Sequence, residues 1–290
     1  MSISAGPEQG IPRFRARFTK KIMKLRIITA LLSVAICANA WAFGKIGHDA
    51  VAAIAEANLT PTAKATIEKY LGGRSIIYYA SWMDNIRLTP EYKHTDGWHS
   101  SSFDANGKQK LWKERYMAHV GINNEMEKVE DGKYKQMTDS AVAVAIKLLV
   151  HMVGDMHCPG HNFFEGQSQN IYFYLNGEKY KFHKFFDFGI FDLGHKWYYA
   201  DYQYQLDRCS KEEKEAMVKG TLTEWEEDNA RTVRPVYDIL TPERQFDQAE
   251  SSELVRKMSE LSDSQVLKAG YRLAHVLNSV FDPSYPKWER

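Results

Sequence analysis

The segment from Thr138 to His161 constrains this chain more than any other. Read as a helix over Thr138–Gly154, it puts Val142, Ala145, Leu149 and Met152 on one side and Val144, Leu148 and His151 on another. A helix that is apolar nearly all round belongs in the middle of a bundle, because no face of it suits water. Yet the segment ends in HMVGDMHCPGH (His151 to His161), three imidazoles and a carboxylate within eleven residues. A buried carboxylate is costly without compensating charge, and each imidazole has two ring nitrogens that want partners. Whatever buries this helix must satisfy those groups together.

His151 and Asp155 are four apart, so their side chains leave one helix face about one turn apart, as in a chelate. Pro159 and Gly160 then break the helix, so His161 projects from the following loop and can reach a different ion from one held by the helix. The spacing recurs in FHKFFD, with His183 and Asp187. Upstream, Asp84 and His99 lie near Trp82 and Trp98, and His48 stands further toward the N-terminus. Imidazole and carboxylate without thiolate select zinc or a similar borderline divalent ion, and three or four protein ligands with one open position is the catalytic arrangement. Spacing alone does not count the ions.

Residues 23–42 read MKLRIITALLSVAICANAWA: a basic start, a short apolar run, then Ala40 and Ala42 in an A-x-A arrangement. This is the pattern of a secretory signal peptide cleaved after Ala42, and the apolar run is far short of the roughly 20 residues a membrane span needs. Residues 1–22 carry no signal-like or domain-like pattern and read as an unstructured leader or a mis-assigned start, with Met23 opening a complete signal. The expected destination is secreted or periplasmic, without stable membrane association after cleavage. The whole chain has 38 basic and 37 acidic residues, but residues 43–290 keep 31 and 36, a formal charge of −5. An acidic protein acting on a polyanion needs a local positive centre, which metal ions supply.

From Phe43 the pattern is helical. AVAAIAEANL is followed by Thr60-Pro61 as cap and first turn of a second helix, closed by Gly72 and Gly73. Ile76 to Arg87 reads as a third helix. Ile171 to Phe182 alternates on both sides of Asn176-Gly177, which predicts a hairpin with a type I′ turn as the one clear strand pair. Ser210 with Glu213 forms a capping box that opens a long amphipathic helix through Trp225 toward Arg234, where Pro235 ends or kinks it. A last helix runs from about Asp263 to Phe281. No repeat or linker interrupts the pattern, so residues 43–290 read as one α-helical domain. Cys158 and Cys209 are the cysteines left after cleavage; their spacing does not show a disulfide, and an inert buried thiol is the expectation for Cys158.

These motifs resemble the S1/P1 nuclease family, the zinc-dependent single-strand nucleases and 3′-nucleotidases, whose fold is similar to that of zinc phospholipase C. FGKIGH (Phe43 to His48) resembles the family's WGxxGH, and SWMDNIR (Ser81 to Arg87) resembles Trp-x-Asp-x-x-Arg. Trp98-His99 resembles its Trp-His pair, HMVGDMHCPGH resembles HxxGDxHxPxH, FHKFFD resembles LHxxWD, and AGYRLAHVLN (Ala269 to Asn278) resembles the closing helix. The resemblance implies a mainly α, single-domain helical bundle of the phospholipase C/P1 nuclease type with one small β-hairpin.

It further implies three zinc ions. Asp84, His99, His151 and Asp155 would hold one; His48, the bridging Asp155 and the freed amine and carbonyl of Phe43 a second; His161, His183 and Asp187 the third. Signal cleavage would then create a ligand. Zinc lowers the pKa of bound water to about 7, and the implied activity is attack of that activated water on phosphorus in single-stranded DNA or RNA and in 3′-nucleotides, leaving 5′-phosphates. Arg87 would stabilise the transition state and Asp155 is the central catalytic carboxylate, while His157 fits the motif as support behind the ligands. His94, His119, His195 and His275 match nothing functional. Departures concern the substrate side: Phe43 replaces Trp, Ser100 stands where the family often places a base-stacking aromatic, a role Phe103 is then placed to take, and Gln167–Asn170 replaces a Gly-Gly-Asn turn. A zinc phospholipase C-like hydrolase and a zinc-binding relative without activity remain as alternatives.

Overall fold

The computed structural model describes residues 1–2, 43–110, 117–168 and 170–288. The expected signal segment, and all but the first two residues of the expected leader, lie outside the described residues. The described chain is mainly helical, with few and short strands.

Helix α1 (Lys45–Ala57) and α2 (Pro61–Tyr70) form as their sequence suggests. The Thr60 hydroxyl caps α2 by accepting from Ala63 N–H, and Gly72 and Gly73 leave it with positive φ of 65° and 76°. The expected third helix is instead two pieces, a 3₁₀ turn at Ile76–Tyr79 and the short α3 (Trp82–Ile86). Between them the Ala80 carbonyl turns to accept a hydrogen bond from His151 Nδ1 at 2.8 Å. A second 3₁₀ segment, Lys93–His99, leads into strand β1 (Ser101–Phe103). Helix α4 (Ala118–Val129) packs on α5 (Asp139–His157), with Gly121 so close that a Cβ there would lie 2.6 Å from Met152 Sδ.

Helix α5 is the axis of the molecule. It is capped by the Thr138 hydroxyl, buried along nearly its whole length, and packed against α1 to α4 and two later helices. By length and composition it is the one described helix that could cross a membrane, but here it is the core of the bundle, as its all-round apolar pattern requires.

After a 3₁₀ turn at Pro159–His161 comes β2 (Asn162–Phe164), which pairs parallel to β1 with Ser101 opposite Asn162. Strands β3 (Tyr172–Leu175) and β4 (Glu178–Lys181) form the expected hairpin. Asn176 and Gly177 both have positive φ, 48° and 83°, as a type I′ turn requires. The hairpin is not alone: besides β1–β2, a short β5 (Gln245–Phe246) pairs parallel with β3.

The chain continues through α6 (Phe182–Lys184), a π-turn at Phe185–Gly189, α7 (Ile190–Leu193) and α8 (Tyr199–Leu206). The long helix expected from Ser210 to Arg234 is two helices, α9 (Lys211–Val218) and α10 (Leu222–Val233). Gly220, at φ 100°, turns the chain, and Thr221 with Glu224 forms a second capping box that restarts it. After α11 (Val236–Ile239), the closing helix α12 runs over Gln248–Phe281, fifteen residues earlier than its expected start. Its first half buries Ser251, Ser259 and Ser262, small polar residues that hide the apolar period.

Candidate metal centre

Four elements deliver the candidate ligands to one end of α5. Helix α5 contributes His151 and Asp155, α1 contributes His48, α3 contributes Asp84, and the 3₁₀ segment before β1 contributes His99. The parallel pairing of β1 and β2 sets His99 and His161 side by side, because each is the residue or two before its strand. The His161 Nδ1–H accordingly donates to the His99 carbonyl. Turns at 182–189 bring His183 and Asp187 against the same end, where the Gly44 N–H donates to the Asp187 carbonyl at 2.7 Å.

The distances are those of one connected cluster. Asp155 lies at its centre, with Oδ1 3.2 Å from His48 Nε2, and Oδ2 3.1 Å from His151 Nε2 and 2.7 Å from His99 Nδ1. Asp84 Oδ1 is 3.6 Å from His151 Nε2 and 3.9 Å from His99 Nδ1. On the far side, His183 Nε2 is 3.0 Å from Asp187 Oδ2 and 2.9 Å from His161 Nε2. The His48 and His151 rings stack at 4.0 Å, which needs a bare backbone behind them: a Cβ on Gly154 would stand 2.8 Å from His48 Nδ1.

Close as they are, these atoms do not hydrogen-bond to one another in full. Both ring nitrogens of His48, Nε2 of His99 and of His151, both oxygens of Asp84, Oδ1 of Asp155 and Oδ2 of Asp187 are buried without a hydrogen-bond partner. Buried polar groups are seldom left so, and this many at one place, with their lone pairs converging rather than paired to N–H groups, fits cations between them. Among the described residues, three groups have donor atoms within 4.8 Å of one another: His48, His151 and Asp155; Asp84, His99 and His151; and Cys158, His161 and Asp187. The donor set therefore suits borderline divalent ions such as zinc.

The carboxylates also create a field that favours positive charge at this spot. Burial alone would push the Asp155 carboxyl up, but His151 and His161 outweigh it and hold it well below the usual range. Against the opposing pull of burial, the Asp155 and Asp84 carboxylates raise His151 to about 10. His161 is raised to about 9 in the same way, by Asp155 and Asp187. His48 and His99 are lowered, chiefly by burial. Two rings are oriented by backbone carbonyls: Nδ1–H of His151 on Ala80 O and of His161 on His99 O leave each Nε2 facing the carboxylates.

Every candidate named from the sequence except Phe43 thus brings a side-chain donor or cation to this cluster. Phe43 is fully buried, its ring 6.0 Å from that of His48 and 5.6 Å from that of Phe191. Arg87 sits at the rim, 21% exposed, with Nε 4.0 Å from Asp84 and Nη1 3.9 Å from Asp96. Two expectations are corrected. Phe103 is 1% exposed and packs on Phe164, so no base can reach its ring. His157 faces away from the cluster, donating to Val153 O at 2.8 Å and accepting from Arg272 Nη1 at 2.9 Å. It braces α5 against α12 rather than a ligand.

Cys158 is buried beside the ligands, with Sγ 3.5 Å from Asp187 Oδ1, and burial followed by the Asp187 and Asp155 charges pushes its thiol well above the usual range. Neither Cys158 nor Cys209 is disulfide-bonded. Two supports carried no signal in the sequence. Buried Glu226 accepts from Ser101 Oγ and Gln109 Nε2, both at 2.6 Å, and from His119 N–H at 3.0 Å, tying α10 to β1 and α4. Arg272 bridges His157 and Asp228.

Comparison with curated proteins finds none that matches. A family model does match: S1/P1 Nuclease, over residues 43–282. That span takes in every candidate ligand and the helices that carry them. With a mainly helical fold and its buried histidines and aspartates gathered at one end of the central helix, the chain belongs to the S1/P1 nuclease family.

Proposed function

We propose that this chain is an exported, zinc-dependent phosphodiesterase that hydrolyses single-stranded DNA or RNA and 3′-nucleotides, leaving 5′-phosphates. One observation carries the reading: buried imidazole and carboxylate atoms without hydrogen-bond partners converge beside the partly exposed Arg87. Asp84, His99, His151 and Asp155 are assigned to one zinc, His48, Asp155 and the backbone of Phe43 to a second, and His161, His183 and Asp187 to a third. Bound zinc supplies Lewis acidity and a water acidic enough to attack phosphorus near neutral pH.

The protein's own residues supply placement. His151 and His161, held by backbone carbonyls, keep their Nε2 atoms aimed inward. Asp155 joins the His48 side of the cluster to the His99 side. Arg87, 21% exposed and 4.0 Å from Asp84, carries a guanidinium suited to neutralise charge developing on the phosphoryl oxygens. Residues 23–42 are read as the signal peptide, consistent with a family match that begins at residue 43. Cleavage after Ala42 would free the Phe43 amine, with the buried Phe43 ring holding that terminus beside His48.

The test is elemental analysis of the mature protein together with assays on single-stranded DNA, 3′-AMP and phosphatidylcholine. Three zinc per chain with turnover of the first two is expected. Turnover of phosphatidylcholine alone would reassign the chain to the phospholipase C type, and full zinc with no turnover to a non-catalytic relative. Asp155→Asn should abolish hydrolysis and lower zinc content; full activity in that variant would refute the site.

A further inference from the structure

A strip of rings and cations leads away from the metal centre. Lys147, His151 and Asp155 are at i, i+4 and i+8 on α5, so Lys147 stands on the same face as the cluster, about 6 Å along the axis from His151. Its ammonium lies 4.3 Å from the centre of the Tyr79 ring and 4.8 Å from that of Trp82. Tyr79 meets Tyr78 edge-on at 4.8 Å, and the Arg74 guanidinium lies 4.5 Å over Tyr78. At the other end Trp82 meets Tyr92 edge-on at 5.4 Å. Tyr78 is 66% exposed.

Among the described residues, no ion pair or side-chain hydrogen bond involves Arg74 or Lys147, in a chain whose part from residue 43 on carries an acidic excess. The exposed Tyr78 and the partly exposed Tyr79 and Trp82, interleaved with cations that lack a carboxylate partner, suit a single strand, since its bases stack on aromatic faces and its phosphates need positive charge. A duplex hides its bases from such rings. Beyond Tyr92 the surface turns to a cleft lined by Glu91, His94 and the Glu125–Lys128 ion pair, where the row of rings ends.

We propose that Arg74, Tyr78, Tyr79, Lys147 and Trp82 form an accessory binding strip for single-stranded nucleic acid, holding nucleotides several positions from the bond cleaved at the metal centre. The proposal rests on the nuclease reading, and it adds that long strands are preferred to short ones for a reason outside the catalytic cluster.

The experiment uses the zinc-loaded mature protein, an oligothymidylate of about 20 nucleotides and the dinucleotide. The double variant Arg74→Ala/Tyr78→Ala, at exposed positions, is compared with Tyr204→Ala, which removes a similar exposed ring (65%) under a similar cation, Arg208 at 4.4 Å, on α8. The ratio of kcat/KM for the long strand to that for the dinucleotide should fall about tenfold in the double variant through a higher KM on the long strand, and stay unchanged in Tyr204→Ala. Affinity for the long strand, read by fluorescence anisotropy, should fall with it and lose part of its salt dependence. An unchanged ratio and affinity in the double variant, or an equal fall in Tyr204→Ala, overturns the strip. If the unaltered protein hydrolyses neither substrate, the nuclease reading fails, and the anisotropy comparison decides the strip by itself: binding that the double variant loses supports it, and equal binding removes it.

Discussion

At the scale of single residues, the centre depends on what is omitted as much as on what is present. Gly154 has no side chain because the His48 ring occupies that space, at 2.8 Å from where a Cβ would be. Gly154→Ala should therefore keep its helical content by circular dichroism while losing zinc measured by elemental analysis, at a stability cost of about 1–3 kcal/mol for the overpacking. Cys158 and His183 both approach Asp187, and the two substitutions separate them. His183→Ala should lose about one zinc per chain, whereas Cys158→Ala should retain all of it; the opposite result would move the ligand to the thiol. Farther out, buried Glu226 accepts from Ser101 Oγ, Gln109 Nε2 and the His119 N–H, with His119 Nδ1 also 3.0 Å from its Oε2. Glu226→Leu strands those donors, and denaturant unfolding should show a loss of about 2–5 kcal/mol. The histidines and aspartates were legible because a run of ionisable groups inside an apolar pattern needs a reason. Glu226 was not, since it reads as one more acidic residue on an amphipathic helix until its partners, 100 residues and more away, are known.

At the scale of elements, local chemistry and tertiary demand divide the credit. Helix α5 and the β3–β4 hairpin form as their patterns dictate, one from an all-round apolar period and the other from Asn176-Gly177. The break between α9 and α10 was also written locally, in Gly220 and the Thr221–Glu224 box, but the amphipathic period runs on across it. Gly220→Ala should destabilise by roughly 1–2 kcal/mol, because a φ of 100° is strained for any side chain. The early start of α12 has its own signal, Asp247 accepting from the Ala249 and Glu250 N–H groups at 2.9 Å. Asp247→Ala should cost about 1 kcal/mol and lower Tm by a few degrees in a thermal scan. The split of the third helix had no local cause, since Ala80 turns its carbonyl to a histidine on another helix.

At the scale of the whole molecule, the bundle holds its cluster of carboxylates and imidazoles against the cost of burial, a cost that the proposed zinc ions would offset. Chelation of zinc should therefore lower Tm, and a Tm that a chelator leaves unmoved would count against a buried metal centre. A separate pH dependence comes from His275, which burial beside Trp225 and Trp288 lowers to about 4, with Nδ1 2.9 Å from Tyr285 Oη. Its unfolded value is near 6.5, so between pH 6.5 and about 4 the unfolded chain binds the extra proton. Stability from this group is intact above pH 6.5 and falls as pH drops through that window, and a His275→Phe variant should show a flatter fall in denaturant titrations. The sequence by itself determined the helical class, the central helix and the identity of nearly all the candidate ligands, because burial of charge and periodicity are properties of short stretches. Only the tertiary structure decided that β1 and β2 run side by side and so bring His99 to His161, that His157 looks away, that Phe103 is sealed from substrate, and that Lys147 lies beneath a row of rings. Those are facts of packing between distant segments, and no short stretch of chain contains them.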